Sequence, residues 1–177
     1  MMLSAKRITL RPVIEDDWEM RYRWLSDPDI NKCPPSGTGI PLTPATVRER
    51  TLIYAKSDPS RVDFTVLQED GTAIGNAHLF NVNPWSRKAE FGVWLGEKSV
   101  WGQGYGTEVT RVLAEFAFMR LNLHKVYLSV DADNFGGIRC YEKAGFKKDG
   151  VLRDDVFKNG QYVDRIIMSL LKKEFAF

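Results

Sequence analysis

The sequence predicts a single α+β domain built on a mixed, mostly antiparallel sheet that is flanked by helices. Three strand-like segments follow one another between residues 62 and 95, with no room for a helix between them. Asn159-Gly160 separates two further strand-like runs near the C-terminus, which is a strong signal for a β-hairpin. Because strands joined by tight turns pair antiparallel, most of the sheet is expected to be antiparallel.

The N-terminal part of the chain predicts one strand followed by a helix. Ile8 and Leu10 alternate with polar residues ahead of Pro12, as in a short strand. A helix is expected over about 15–25, because acidic residues occupy its first turn and Asp27-Pro28 stops it.

A segment rich in proline and glycine, residues 31–42, predicts a loop before the second helix. Thr43-Pro44 starts that helix, since it combines a capping residue with a proline in the first turn, and the helix runs to about residue 56. The remaining elements are strands at 62–68, 73–81 and 88–95, a helix that carries Val109, Val112, Leu113, Phe116 and Ala117 on one face, a strand at 126–130, a helix at 134–144 ended by Gly145, and a hairpin of about 151–157 with 162–171.

The composition indicates one soluble globular domain, residues 1–177, that does not bind nucleic acid. Its apolar fraction of 44% is ordinary for such a domain, and its net charge of +2 is too small to attract a polyanion. No apolar run is long enough to span a membrane, and the N-terminus lacks a signal-peptide pattern, so a cytoplasmic location without membrane association is expected. Cys33 and Cys140 form no CxxC pair, so no metal site is expected.

Three alternating glycines, Gly102, Gly104 and Gly106, lie between the strand pattern at 88–95 and a helix pattern. Since glycine has no side chain, the backbone N–H groups of such a turn can close around an anion. The helix that follows adds its own unpaired N–H groups and the positive end of its dipole. We therefore expect a pyrophosphate cradle at residues 101–108, which is called the glycine loop below.

Two common phosphate-binding patterns fit this loop poorly. A nucleotide-binding P-loop needs a lysine directly after its last glycine, and none follows here. A dinucleotide fingerprint needs a third glycine where this chain has Thr107, although Asp131 stands where a ribose-binding acid is expected. A tight loop that binds nothing is a further alternative, and coenzyme A is the third pyrophosphate ligand to consider.

Two motifs in the right order resemble those of the GNAT superfamily of N-acetyltransferases. Residues 89–95 (AEFGVWL), followed by the glycine loop, resemble the acetyl-CoA motif of that superfamily. Asn134 and residues 141–146 (YEKAGF) resemble its second signature, N-x6-Y-E-K-x-G-F. The likeness covers roughly residues 60–170. It implies the GNAT fold and acetyl-CoA as the co-substrate.

Within the superfamily, the chain is most similar to the RimJ/RimL-like branch, which is named for acetyltransferases of ribosomal-protein N-termini. Residues 8–12 and the hairpin at 159–162 carry this closer likeness. One position departs from the usual pattern, because the superfamily has Gln or Arg where this chain has Trp101. The departure removes a side-chain donor but leaves a cradle made of backbone amides.

The resemblance implies direct transfer of an acetyl group from acetyl-CoA to a primary amine. Tyr141 would be the general acid, because a phenol of pKa about 10 can give its proton to a leaving thiolate of similar basicity. Glu90 is the first choice for the general base, and Asp154 and Asp155 are the second. Asn134 would hydrogen-bond the pantetheine arm or position Tyr141. The residues that the resemblance assigns to acetyl-CoA binding are Val93, Trp94, Leu95, Trp101, Gly102, Gln103, Gly104, Tyr105, Gly106, Thr107 and Asn134.

The sequence leaves the amine acceptor open among a protein N-terminus, a polyamine, an amino sugar and an aminoglycoside. The name of the branch slightly favours a peptide N-terminus, whereas Glu15-Asp16-Asp17 could attract a polyamine. His78 is expected to be packed or exposed rather than catalytic. No cysteine stands in a nucleophile pattern, so an acetyl-enzyme is not expected. The alternative function is a non-catalytic module that binds or senses acyl-CoA, and a homodimer is compatible with the family.

Overall fold

The computed structural model describes residues 2–30 and 41–176, so the loop expected at 31–42 lies almost wholly outside the described residues. The strands are β1 (Leu3–Ser4), β2 (Ile8–Pro12), β3 (Val62–Gln68), β4 (Ala73–Asn83), β5 (Lys88–Leu95), β6 (Lys125–Asp131), β7 (Lys147–Lys158) and β8 (Gln161–Leu171). The helices are α1 (Trp18–Leu25), α2 (Pro44–Tyr54), α3 (Tyr105–Met119) and α4 (Phe135–Ala144), with single 3₁₀ turns at Glu15–Asp17, Lys98–Val100 and Lys172–Glu174.

All these strands form one sheet in the order β1-β2-β3-β4-β5-β6-β8-β7. Every neighbouring pair is antiparallel except β5 and β6, which run parallel and are connected through α3. A parallel pair needs a crossover of this kind, because its two strands must start at the same end of the sheet. The predicted fold class, an α+β domain on a mixed and mostly antiparallel sheet, is confirmed.

The parallel pair β5–β6 separates after three residue pairs. Lys88, Ala89 and Glu90 lie opposite residues 125–127, and no pairing between the two strands continues beyond them. Each strand stays bonded to its other neighbour, since β5 pairs with β4 as far as Leu95 and β6 pairs with β8 as far as Asp131. A V-shaped gap therefore opens in the middle of the sheet, and it is called the splay below.

The two faces of the sheet carry different layers. Side chains alternate along a strand, so Ala77, Leu79 and Phe91 lie on one face and pack against α3 and α4. On the opposite face, Trp94 meets the ring of Trp24 edge-on, with 5.7 Å between ring centroids, and this contact holds α1 against the sheet. The apolar face of α3 predicted from helical spacing is confirmed, because its residues belong to the buried core or pack against it.

Several element boundaries follow from local signals that the sequence displays. The Thr43 side chain accepts a hydrogen bond from the Thr46 N–H at 3.2 Å and so caps α2. Gly145 ends α4 with a φ of 103°, and the Phe146 N–H reaches back to the Tyr141 carbonyl. Strands β3 and β5 have the predicted bounds. The two-residue strand β1 was not predicted, because nothing in so short a segment distinguishes a strand from a loop.

Two of the three acidic residues at 15–17 pair with arginines and fix the start of α1. Asp17 is only 4% exposed, and its carboxylate accepts two hydrogen bonds from Arg11 and one from Thr65. Burial alone would raise the pKa of Asp17, but these hydrogen bonds hold it below its ordinary value. The Glu15 carboxylate pairs with Arg48 at 2.9 Å. Both carboxylates therefore serve to fix the start of α1 against β2, β3 and α2.

Gly96 allows α1 to approach the end of β5, so we expect Gly96→Ala to destabilise the fold. A Cβ atom at this position would lie 2.1 Å from the Trp24 indole, which is fully buried and has no space to move into. Overpacking of this kind costs about 1–3 kcal/mol of unfolding free energy. Urea denaturation measures the change. Gly150→Ala is the matched control, since a Cβ there meets nothing within 4 Å. Equal stability of the two variants would contradict the close packing of α1.

Candidate active site

The glycine loop ends in a helix N-terminus whose N–H groups are unused within the described chain. Gly102 and Gly104 have φ values of 74° and 87°, and α3 begins directly afterwards with no side-chain cap. The N–H groups of residues 105–107 therefore point out of the helix without a partner among the described residues. Together with the helix dipole they favour an anionic ligand, so the loop fits the pyrophosphate of coenzyme A.

Arg7 fastens this loop to the N-terminal strands. Its backbone N–H and its Nε both donate to the Glu108 carboxylate, at 2.8 and 2.9 Å. Its Nη1 donates to the Gln103 carbonyl at 3.2 Å, and its guanidinium lies 4.3 Å from the centroid of the Tyr105 ring. No local pattern in the sequence marks Arg7, because it contacts residues about a hundred positions further along the chain.

Trp101, which departs from the usual family pattern, ties the other end of the loop to β5. Its indole N–H donates to the Leu95 carbonyl at 3.0 Å, while its ring stays about half exposed. The side-chain donor at this position is therefore used within the protein. The loop is consequently fixed to β5 on one side and to Arg7 on the other, which positions the free amides before any ligand arrives.

Tyr141 reaches from α4 to the edge of the splay. Tyr141 is 9% exposed and its ring packs edge-on against Phe91. Its hydroxyl lies near the backbone N–H of Val93, which acts to lower the pKa of the hydroxyl. Burial raises the pKa of Tyr141 above its ordinary value, so the hydroxyl keeps its proton at neutral pH. The two sequence motifs, on β5 and α4, thus meet at one point where the strands separate.

Asn134 is the N-cap of α4. Its Oδ1 accepts a hydrogen bond from the Gly137 N–H at 2.9 Å, which fixes the start of the helix that carries Tyr141. The carboxamide oxygen is used in this cap, so only the amide NH₂ is left to contact a ligand. A positioning function for Asn134 therefore has a direct structural basis.

Glu90 lies at the closed end of the splay, in the last residue pair that joins β5 to β6. Its Oε2 accepts a hydrogen bond from the Asn81 side chain at 3.0 Å. Glu90 and Tyr141 approach β5 from opposite faces, because Glu90 shares a face with Trp94. The second-choice bases are on the edge strand β7, where the Asp155 carboxylate is 3.3 Å from Arg165.

A cavity of about 240 Å³ adjoins the splay on the face that bears α1 and α2. Helix residues form its roof, and side chains of β3, β4 and β5 form its floor. Asn76, at 4% exposure, contributes a buried Oδ1 that has no hydrogen-bond partner among the described residues. The lining residues are Arg21, Leu25, Leu42, Val47, Arg50, Tyr54, Arg61, Asp63, Asn76, His78, Phe80 and Trp94.

The sequence model of one protein family, described as an acetyltransferase (GNAT) domain, matches residues 7–147 of the chain. The chain belongs to the GNAT acetyltransferase family. It is 29% identical to an uncharacterized N-acetyltransferase, p20, of Bacillus licheniformis over 98% of both chains. It is 34% identical to spermidine N(1)-acetyltransferase of Escherichia coli (strain K12) over 62% of this chain and 59% of that enzyme.

A solved structure agrees with the same assignment. Spermidine N-acetyltransferase from Vibrio cholerae, in complex with CoA and spermine, superimposes with a TM-score of 0.85 at 25% identity, covering 94% of this chain and 96% of that one. The reaction of this GNAT protein is therefore transfer of an acetyl group from acetyl-CoA to an amine. The dinucleotide, P-loop and acyl-CoA-sensing alternatives are not favoured.

Two further properties concern the described part of this GNAT chain. None of its helices is both long and apolar enough to cross a membrane. Among residues 2–30 and 41–176, His, Cys, Asp and Glu side chains do not gather in any group of three that could hold a metal ion.

His78 lines the cavity and is packed against β5, which is one of the two environments expected for it. Its imidazole lies so close to Gly92 of β5 that a Cβ on that glycine would be 2.2 Å from Nε2. Burial lowers the pKa of His78 from 6.5 to about 4, so the ring is neutral at neutral pH and presents an uncharged nitrogen to the cavity. Cross-strand pairing with a glycine is the signal that could have located it, because it leaves space for a side chain above the strand.

We expect Gly104→Val in the glycine loop to abolish acetyl-CoA binding, as measured by calorimetric titration with NAD as the control ligand. The β-branched side chain would enter the cradle and disfavour the left-handed conformation that brings the amides together. Gly71→Val is the matched control, because Gly71 has a φ of 84° in a distant turn with nothing within 4 Å. Retained binding in Gly104→Val, or loss in both variants, would show that the loop is not the cradle.

We also expect His78 to stay neutral well below pH 6.5. Its ring signals in a ¹³C or ¹⁵N NMR titration should keep the neutral form between about pH 7.5 and 5.5 and change with a midpoint of about 4. Since the unfolded chain takes up this proton near pH 6.5 and the folded chain only near pH 4, the contribution of His78 to stability rises with pH between these two values. His78→Gln assigns the signals. A midpoint near 6.5 would mean that the ring is not desolvated.

Proposed function

We propose that this protein acetylates the primary amine of a small molecule by direct transfer within a ternary complex of enzyme, acetyl-CoA and acceptor. The observation that carries the proposal is the position of the Tyr141 hydroxyl next to the Val93 N–H at the splay. It brings a proton donor and a backbone amide donor to one place beside a pyrophosphate cradle. Acetyl-CoA supplies the acetyl thioester there.

The exposed amides of β5 polarise the carbonyl group that is attacked. In the splay, residues 93–95 have lost β6 as a bonding neighbour, so donors in this strand face the gap. Preorganised backbone N–H groups stabilise negative charge on an oxygen without having to reorient, which makes them effective in an oxyanion site. The Val93–Leu95 segment also holds the pantetheine arm, while the glycine loop holds the pyrophosphate and the amide NH₂ of Asn134 contacts the arm.

Tyr141 then protonates the leaving sulfur. The amine nitrogen forms its bond to the carbonyl carbon, the C–S bond breaks, and the Tyr141 hydroxyl gives its proton to the thiolate. The Val93 N–H stabilises the tyrosine oxygen after the proton has left, which offsets part of the effect of burial. Solvent restores the proton in the next cycle.

Glu90 is the proposed general base. It lies on the same face of β5 as the cavity, next to the closed end of the splay, and its carboxylate has a single hydrogen-bond donor among the described residues, Asn81. A carboxylate there can accept the amine proton through a water chain. Asp155 is less suited to the role because Arg165 neutralises it.

Direct transfer is supported by the environment of Cys140. This thiol packs behind the glycine loop against Thr107, and burial raises its pKa, so the thiolate that an acetyl-enzyme route needs is disfavoured. Cys33 lies outside the described residues.

A small-molecule acceptor is supported by the relatives and by the size of the cavity. The enzymes of E. coli and V. cholerae are named for spermidine, which is a small amine. The cavity of about 240 Å³ falls below the range of roughly 300–1,000 Å³ that is common for drug-sized ligands. A peptide N-terminus, which the branch name favours, has no comparable support from the described cavity.

Three finer expectations belong to the same proposal. The RimJ/RimL-like branch is supported by residues 8–12 and by the hairpin turn at Asn159-Gly160. A cytoplasmic location is part of the same proposal. A homodimer is expected from the habit of the family, and size-exclusion chromatography with light scattering tests it.

We expect Tyr141→Phe to lower turnover by about tenfold or more while leaving acetyl-CoA affinity nearly unchanged. The change removes the proton donor but keeps the buried ring. Glu90→Gln should lower turnover at neutral pH and recover at high pH, where the amine loses its proton without a base. Initial rates across a pH series and calorimetric titration with acetyl-CoA measure both effects.

Tyr162→Phe is the control for the tyrosine substitution, because Tyr162 is 63% exposed on the C-terminal hairpin. Its turnover should equal that of the unaltered protein. Equal turnover in Tyr141→Phe would remove Tyr141 from the mechanism. If the turnover of Glu90→Gln were the same fraction of the unaltered protein's turnover at every pH, Glu90 would not be the base.

A further inference from the structure

The cavity that adjoins the splay is lined by more positively charged side chains than negatively charged ones. Three arginines line it, Arg21 from α1, Arg50 from α2 and Arg61 from the start of β3, and Asp63 is its only lining carboxylate among the described residues. Arg61 donates to both oxygens of Asp63, at 2.5 and 2.8 Å, so this pair is already closed. Asp63 therefore forms no hydrogen bond or ion pair with the other two arginines.

Arg21 is the clearest case of a cation without a counterion. Its guanidinium lies over the Tyr54 ring, 4.7 Å from the centroid, and no described residue forms a hydrogen bond or ion pair with it. Burial lowers the pKa of Arg21, which reflects how unfavourable this charge is without an anion. The charges of Asp63 and Asp17 act on Arg21 from a distance and offset part of this effect. Neither forms an ion pair with it, because Asp63 is held by Arg61 and Asp17 by Arg11 and Thr65.

Arg50, on α2, is in the same situation as Arg21. It is half-buried, and it too has no hydrogen-bond or ion-pair partner among residues 2–30 and 41–176. Residues 31–40 cannot supply a carboxylate side chain either, because their sequence contains Lys32 and no Asp or Glu. Two guanidinium groups on the roof of the cavity therefore have no anion paired with them within residues 2–30 and 41–176. A guanidinium binds carboxylate and phosphate oxygens with matched geometry.

The floor of the cavity lacks a hydrogen-bond donor, whereas the roof lacks an anion. Asn76 donates its Nδ2 hydrogen to the Phe64 carbonyl at 3.3 Å, which leaves its buried Oδ1 without a donor. A buried acceptor of this kind costs free energy until an N–H or O–H group reaches it. Asn76 pairs across the sheet with Trp94, beside the amide of Val93, so a donor that satisfies Oδ1 lies on the acceptor side of the splay.

We propose that the acceptor is a primary amine that also carries an oxyanion, either a carboxylate or a phosphate. Arg21 and Arg50 bind the oxyanion, and Asn76 Oδ1 accepts a hydrogen bond from the amino group. This inference rests on the proposed function, and it separates the chain from relatives named for spermidine. A polyamine would bring a second ammonium group towards two unpaired guanidinium groups, whereas the oxyanion of a zwitterionic amine neutralises them.

Acetylation of matched amine pairs tests this specificity. The pairs are ethanolamine with O-phosphoethanolamine, glucosamine with glucosamine 6-phosphate, and serinamide with serine, and spermidine is measured beside them. We expect kcat/KM to favour the anionic member of at least one pair by about tenfold or more, since charge-assisted hydrogen bonds are worth that much. The phosphate and carboxylate pairs show which oxyanion is used. Equal or better use of spermidine and the neutral members would overturn the proposal.

Arg21→Gln and Arg50→Gln should reduce this preference by raising KM for the anionic member, with little change in kcat for the neutral one. Arg48→Gln is the matched control, because Arg48 lies on α2 but is exposed, pairs with Glu15 and does not line the cavity. Circular dichroism and calorimetric titration with acetyl-CoA verify that each variant is folded and binds the co-substrate. An unchanged preference in both cavity variants would refute the assignment.

A binding measurement decides the matter even if no amine of the panel is acetylated. Inorganic phosphate and acetate are titrated separately into ¹⁵N-labelled protein while the arginine Nε–H signals are followed. We expect one of the two anions to shift the Arg21 and Arg50 signals, with the response lost in the double variant and kept in Arg48→Gln. No response to either anion would overturn the proposal. If neither anion binds but spermidine is acetylated in a reaction that depends on Tyr141, only the oxyanion proposal fails and the proposed function is retained. Failure of the protein to bind acetyl-CoA would contradict the proposed function itself.

Discussion

The whole candidate site depends on one property of the sheet: hydrogen bonding between β5 and β6 stops well before either strand ends. Three residue pairs hold the parallel strands together, and beyond Glu90 each strand remains bonded only to its antiparallel neighbour. Backbone groups released in this way must find other partners, because unpaired buried amides are costly. The Tyr141 hydroxyl satisfies one of them at Val93. The gap is therefore stabilised by a side chain from the opposite sequence motif, and a co-substrate can use the remaining amides.

The splay also joins two chemically different faces of one sheet. On one face, α3 and α4 supply the glycine loop and the proton donor, packed on a core that includes Phe91. On the other face, α1 and α2 cover a small cavity lined by His78 and Asn76. Because side chains alternate along β5, a single strand serves both faces. An acceptor and a co-substrate can consequently approach the same amide from opposite sides without competing for space.

Family membership and acceptor choice reside in different parts of the chain. The glycine loop and the YEKAGF segment belong to α3, α4 and the turns next to them, within the residues that the family model matches. The charged lining of the cavity comes from α1, α2 and the residues at the start of β3. The side chains that set the charge of the cavity are therefore not those of the two family motifs. Similarity to spermidine acetyltransferases therefore establishes the reaction better than it establishes the substrate.

The sequence by itself determined every feature that a local backbone signal encodes. Alternation and turns located β3 and β5, left-handed glycines marked the glycine loop and the end of α4, and motif spacing identified Tyr141. Only the tertiary structure revealed the clamp between Arg7 and Glu108, the burial of Asp17 against Thr65, and the meeting of Arg21 with Asn76 in one cavity. The physical reason is that these contacts join segments far apart in the chain. Their geometry is decided by how α1 and α2 pack on the sheet, and no pattern within either segment records it.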